Sequence, residues 1–99
     1  MNHIGSVRVR VRYYAVARDA ADRRDEVVSL QEGSTVLVLV HALVGLHGPL
    51  RGLAFDMDGR LLDYLMYSVN DVDIIGLKGF ETVLRDGDTV RVMPPIGGG

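Results

Sequence analysis

The chain has no cysteine, a single lysine and three prolines, and each scarcity narrows what it can do. Without a thiol there is no disulfide, no thiolate nucleophile and no zinc–thiolate centre, so any sulfur chemistry must run through another group. Absence of cysteine is compatible with the cytoplasm, which is the expected location. With Lys78 the sole lysine, a side-chain amine able to accept a conjugate exists at one position. Long apolar runs are missing too. The longest, residues 36–40 followed by 42–44, is too short and interrupted to span a bilayer, and residues 1–6 lack the charged region and apolar core of a signal peptide. Nor is there a basic excess: the formal charge of -2 argues against nucleic acid as the main partner. No nucleic-acid or membrane partner is expected.

What remains is an ordinary globular balance, 47% hydrophobic and 24% charged over 99 residues. That length suits one domain, which buries roughly 60–70% of the surface its unfolded chain exposes. The sequence divides into an N-terminal arm (1–6), a folded domain (7–93) and a tail (94–99).

Residues 7–14 read Val-Arg-Val-Arg-Val-Arg-Tyr-Tyr, a strict period of two that sends Val7, Val9, Val11 and Tyr13 to one face and Arg8, Arg10 and Arg12 to the other. Residues 15–25 are charged and aperiodic and read as a loop before a second strand at 26–30. Ser34 or Thr35 can cap a following helix. Residues 36–47 are β-branched at the start, but their apolar spacing and the Gly48-Pro49 stop favour that helix. Residues 50–65 suggest a turn at Asp56-Met57-Asp58-Gly59 and a short helical piece. A third strand is expected at 66–69, a turn at Asn70-Asp71, a continuation or fourth strand at 72–75, an irregular stretch at 76–85, and a last strand at 89–93 after the Asp86-Gly87-Asp88 turn. This is an α+β domain: a mixed sheet of four to five strands with one main helix packed across it.

The chain ends in Met93-Pro94-Pro95-Ile96-Gly97-Gly98-Gly99. Pro94 and Pro95 each lack an amide donor and fix φ, so they stop sheet pairing and favour an extended segment. Glycine has no Cβ, so Gly97 and Gly98 can thread a narrow channel behind Pro94, Pro95 and Ile96. The carboxylate of Gly99 becomes the candidate reactive group. Read alone, such an ending also fits a frayed terminus.

Four segments in order resemble the ThiS/MoaD family of ubiquitin-like sulfur carriers: residues 9–14 followed by Ala15-Val16-Ala17-Arg18, Glu32-Gly33-Ser34-Thr35-Val36, Leu84-Arg85-Asp86-Gly87-Asp88, and residues 93–99. The nearest form is the small subunit of molybdopterin synthase. The resemblance implies a β-grasp fold and a protein that is a substrate of its partners, with no catalytic residues of its own and no bound cofactor. An adenylating enzyme of the ubiquitin-activating type would use ATP to make a Gly99 acyl adenylate, and sulfur from a persulfide would convert it to a thiocarboxylate. The molybdopterin synthase large subunit, or another acceptor enzyme, would take the sulfur. The alternative is a ubiquitin-like modifier joined through Gly99 to lysines of target proteins, with Lys78 the candidate acceptor for self-conjugation.

Two departures from the family pattern stand out. Asp71 occupies a position where glycine often follows Asn70, and Arg8, Arg10, Arg12 and Arg91 form an arginine-rich face where partners commonly meet an apolar patch. With Met93, these arginines are the candidate partner-binding face, favouring an acidic partner; a merely solvated sheet face is the other reading. No metal site is expected. His41 and His47 are six residues apart, off the i, i+4 spacing of paired helical ligands, and Asp56-Met57-Asp58-Gly59 lacks the later acids of a calcium loop. No self-contained active site is visible.

Overall fold

The first strand follows its alternation. In β1 (Ser6–Tyr13) the side chains of Val7, Val9, Val11 and Tyr13 are buried and those of Ser6 and the three arginines are exposed. The structure is a computed structural model and describes residues 5–95. Where a loop is expected from the sequence, a short helix, α1 (Val16–Ala21), follows. Its buried face consists of Ala17 and Ala21, four residues apart and too small to give an apolar signal amid charged neighbours. Ala15 and Asp22 bracket it with positive φ, and the Asp22 amide donates to the Arg18 carbonyl.

β2 (Asp25–Gln31) then pairs antiparallel with β1, setting Val28 opposite Val9 and Leu30 opposite Val7. α2 (Val36–Leu46) is the main helix. Thr35, rather than Ser34, caps it: its Oγ1 accepts from the Val38 amide at 3.3 Å, while the Ser34 hydroxyl donates to the Gln31 carbonyl at 2.6 Å. Helical spacing overrides the β-branched start because Val36, Leu39, Val40, Leu43 and Val44 fall on one face and bury against the sheet. They join Val9, Val11, Val90 and Val92 in one core, where each buried Val or Leu contributes about 1.5–3 kcal/mol. The helix ends at His47, and a 3-10 turn (Gly48–Leu50) leads into α3 (Arg51–Ala54).

β3 (Met66–Val69) and the two-residue β4 (Val72–Asp73) form a hairpin; β4 stops short of the expected 72–75 because Asp73 Oδ1 accepts the Ile75 amide at 2.9 Å and starts a 3-10 turn at Ile74–Gly76, and a second 3-10 turn, Gly79–Glu81, lies in the stretch expected to be irregular. β5 (Thr89–Met93) enters between β1 and β3, parallel to the first and antiparallel to the second. The sheet order is β2-β1-β5-β3-β4. Five mixed strands around one long helix make an α+β, ubiquitin-like β-grasp fold, as the family resemblance implies. Among the described residues no helix is long and apolar enough to cross a membrane.

Candidate functional site

β5 is held on both sides to its end: Val92 lies opposite Tyr13 and Tyr67, Met93 opposite Met66, and the Tyr14 amide donates to the Val92 carbonyl at 3.0 Å. Pro94 and Pro95, which carry no N–H, then end the ladder. The remaining tail residues singled out from the sequence, Ile96, Gly97, Gly98 and Gly99, lie outside the described residues.

The start of β5 is fixed by the Asp86-Gly87-Asp88 turn. Asp86 Oδ1 accepts the Arg8 amide at 2.7 Å, and the Gly87 amide donates back to the Arg8 carbonyl at 2.9 Å, with Gly87 at φ +89. Asp88 uses Oδ2 on the Arg85 amide (2.8 Å) and Oδ1 on the Asn70 Nδ2 group (2.9 Å), and Asn70 Oδ1 accepts the Thr89 amide at 2.9 Å. The motif therefore ties β5 to β1 and to the β3–β4 turn before the strand leaves the domain. The strand that carries the tail is thus hydrogen-bonded at both its start and its end.

Beside Pro95 lies an apolar groove of about 330 Å³ between Leu61, Leu65, Met66, Ile74 and Phe80. Tyr67 forms part of its wall, edge-on to Phe80 with ring centroids 5.5 Å apart, and burial pushes its phenol pKa up to about 12. Ile75 stands at the lip, 85% exposed. Lys78 is exposed three residues further on, its amide donating to Thr82 Oγ1 at 3.1 Å.

The four arginines expected to share one face do share it, but the structure divides them. Arg12 sits between Asp25 on β2 and Arg91 on β5, and Arg91 is opposite Ser68 on β3. The Arg91 guanidinium pairs with the Asp71 carboxylate, and its Nε donates to the Tyr14 hydroxyl at 3.0 Å. That hydrogen bond, with the nearby Asp71 charge, holds the Arg91 pKa above its ordinary value. Among the described residues no carboxylate lies within 4.0 Å of the guanidinium groups of Arg8, Arg10 or Arg12. Met93, opposite Met66, is half-buried and adds an apolar end to the face near the tail. Asp71 is accommodated because Asn70 and Asp71 adopt φ 50 and 71, the positive-φ pair of a tight hairpin turn.

One polar cluster escaped the sequence reading. Glu26 Oε2 accepts the Tyr13 hydroxyl at 2.6 Å and meets His47 Nε2 at 2.5 Å, and Arg23 pairs with Oε1 at 3.3 Å. Burial works to raise the Glu26 pKa, but the hydrogen bonds from Tyr13 and His47 and the neighbouring positive charge outweigh it and leave it lowered. Burial first, and then the Glu26 contact, push the Tyr13 phenol up. The available signal was Tyr13 itself, since a tyrosine in the buried phase of a strand needs a partner for its hydroxyl. His41 instead stacks on Phe55 at 4.7 Å. The Asp56 carboxylate accepts the amides of Asp58 and Arg60, closing a turn.

A sheet gripping one long helix, with its central strand leading into a Pro-Pro and glycine sequence, defines the ubiquitin-like carriers and modifiers. The chain belongs to the ThiS family, whose model matches residues 11–99. It is 26% identical over 91 residues to small archaeal modifier protein 3 of Haloferax volcanii, covering 92% of this chain and 98% of that one. Among solved structures it is similar to small archaeal modifier protein 1 of Methanosarcina acetivorans (TM-score 0.82, 26% identity, 99% of this chain and 100% of that chain). It is also similar to a putative molybdopterin converting factor, subunit 1, from Pyrococcus furiosus (TM-score 0.73, 29% identity, 91% and 99%).

Proposed function

We propose that the protein is a sulfur carrier working through a Gly99 thiocarboxylate, with molybdopterin synthesis as its pathway. The observation that supports this reading is β5, hydrogen-bonded at its start to β1 and to the β3–β4 turn and ended by Pro94-Pro95 directly before the glycines of the sequence. A carboxylate is a poor electrophile until one oxygen becomes a good leaving group. An adenylating enzyme would join the Gly99 carboxylate to the α-phosphorus of ATP with loss of pyrophosphate. A persulfide sulfur would then displace AMP, and a second thiol would cleave the resulting S–S bond, leaving the thiocarboxylate. The unhindered glycine minimises crowding at the tetrahedral centre. ATP belongs to the partner, and the sulfur goes to a molybdopterin synthase large subunit.

The resemblance to the modifier of Haloferax volcanii favours a second reading, conjugation through Gly99 to lysines of other proteins. Both use the same activated carboxylate. They separate in one experiment: the thiocarboxylate form is mixed with a large subunit and the cyclic pyranopterin precursor, and dithiolene formation is followed by fluorescence of the oxidised pterin. Dithiolene product supports the carrier in this pathway. No product, together with isopeptide adducts in cells, assigns the protein to conjugation.

A further inference from the structure

α2 is apolar on every side, although the sheet covers only one of them. None of its eleven residues is Asp, Glu, Lys or Arg. Val36, Leu39, Val40, Leu43 and Val44 face the core, while on the far side Val38 is 45% and Leu46 58% exposed. A helix that is hydrophobic all round is normally enclosed, and a surface helix carries charge on its outer face. Among the described residues, Val38, Gly45 and Leu46 are left open.

Gly45 is a second, independent sign. It lies in the last turn of α2, where glycine is the poorest choice short of proline. Nothing within the chain asks for it: its φ is not positive, and a Cβ placed there meets nothing within 4 Å among the described residues. A missing side chain on an open helix face leaves a notch that admits a neighbour closely. At about 100° per residue, Val38 and Gly45 fall within about 20° of one another, opposite the buried stripe and about 10 Å apart along the axis. They are equidistant from the midpoint of His41 and Ala42. A projecting side chain and a notch so placed fit one another across a twofold axis through that midpoint.

We propose that α2 is a dimerisation helix: two copies of this chain pack their α2 helices antiparallel, each Val38 seated over the partner's Gly45, with Leu46 at the rim. An isologous pairing makes this contact twice. With no charged residue on either helix, nothing repels at the centre, and both faces leave water. A different protein would need its own knob and notch at this spacing; a second copy has them by symmetry. A membrane surface fits poorly, since α2 has no Lys or Arg to meet headgroups. The helix is about 16 Å long, so the contact falls short of the roughly 800 Å² per partner of a standard interface, and the dimer is weak and concentration-dependent. α2 covers the sheet face opposite Arg8, Arg10 and Arg12, so pairing leaves the arginine face open.

The test is sedimentation equilibrium of the full chain from about 10 µM to about 1 mM, the range in which a small interface associates. The wild type is expected to rise from the mass of one chain towards that of two. Gly45→Arg fills the notch with a charged side chain that suits the last turn of a helix and meets nothing within the monomer. It is expected to melt no lower than the wild type and to weaken association by on the order of tenfold or more. Val38→Glu, in the first turn, is expected to weaken association likewise. Met57→Arg adds the charge of Gly45→Arg at a fully exposed turn position and is expected to associate like the wild type. Mixed in equal amounts, the Val38→Glu and Gly45→Arg chains are expected to pair with one another. The antiparallel arrangement sets the new carboxylate on the new guanidinium and keeps one original contact. A wild type that stays a single chain at about 1 mM overturns the proposal, as does a dimer that Gly45→Arg leaves intact. If either variant melts lower, the mixture decides: failure to associate overturns the antiparallel pairing. A monomeric wild type that binds phosphatidylcholine vesicles, with binding lost in Gly45→Arg, gives the face to a lipid surface and overturns the dimer.

Discussion

Arg91 on β5 and Asp71 in the β3–β4 turn form an ion pair on the open sheet face, with the Tyr14 hydroxyl accepting the Arg91 Nε–H. Two of the residues that depart from the family pattern are thus partners of one another. Asp71 is 78% exposed and sits at φ 71, where glycine is unstrained. Asp71→Gly is therefore expected to leave the melting temperature almost unchanged, because relief at the backbone offsets loss of an exposed pair. Asp71→Val, forced into the same backbone conformation, is expected to cost about 1–3 kcal/mol in urea denaturation.

Asn70 is the more consequential turn residue. Its side chain bonds both Asp88 and the Thr89 amide, and its φ of 50 suits asparagine better than alanine. Asn70→Ala is expected to destabilise the protein by about 2–3 kcal/mol, from two lost hydrogen bonds at about 1 kcal/mol each plus backbone strain. Hydrogen exchange at the Thr89 amide is expected to accelerate beyond the global change, marking a loosened start to β5.

The Tyr13–Glu26–His47 cluster predicts a loss of stability toward both pH extremes. Glu26 is lowered in the folded state, so its contribution is present above the ordinary value of 4.5 and is lost as pH falls through its folded value. Tyr13 is raised, so its neutral form stabilises fully below the ordinary 10.0, and that contribution declines as pH climbs beyond it. Glu26→Ala leaves the Tyr13 hydroxyl and His47 without their partner and is expected to cost about 1–3 kcal/mol at neutral pH. Melting curves across pH should show the acid-side loss flattened in this variant.

Lys78 gives the conjugation reading a sharp handle. As the sole lysine, it is where any side-chain-linked polymer of the protein must form. Lys78→Arg is expected to abolish self-adducts on denaturing gels while leaving thiocarboxylate formation intact; surviving side-chain-linked ladders would contradict that assignment.

The legible parts of the sequence were those whose signal is local and repeated. The Val–Arg alternation of β1, the main helix after a cap at Ser34 or Thr35, and the Asp86-Gly87-Asp88 turn before β5 all appear where expected, with Thr35 the cap used. α1 was hidden because alanines pack without an apolar pattern of their own. The Glu26–His47 and Arg91–Asp71 pairs depend on strand register and turn geometry, which join residues 21 and 20 positions apart. The arginine face was readable as a group. Its division into one clamped guanidinium group and three without a carboxylate partner among the described residues required the β3–β4 turn to be in place.

The central claim, that Gly99 carries sulfur, is tested most directly by intact-mass measurement after incubating the chain with its adenylating enzyme, ATP and a persulfide donor. The expected result is a species with one oxygen replaced by one sulfur, mapped by fragmentation to Gly99. The same treatment of a chain lacking Gly98 and Gly99, which should melt like the full-length protein, is expected to leave the mass unchanged. Full-length protein that remains at its original mass while the enzyme consumes ATP on it would contradict the carrier account.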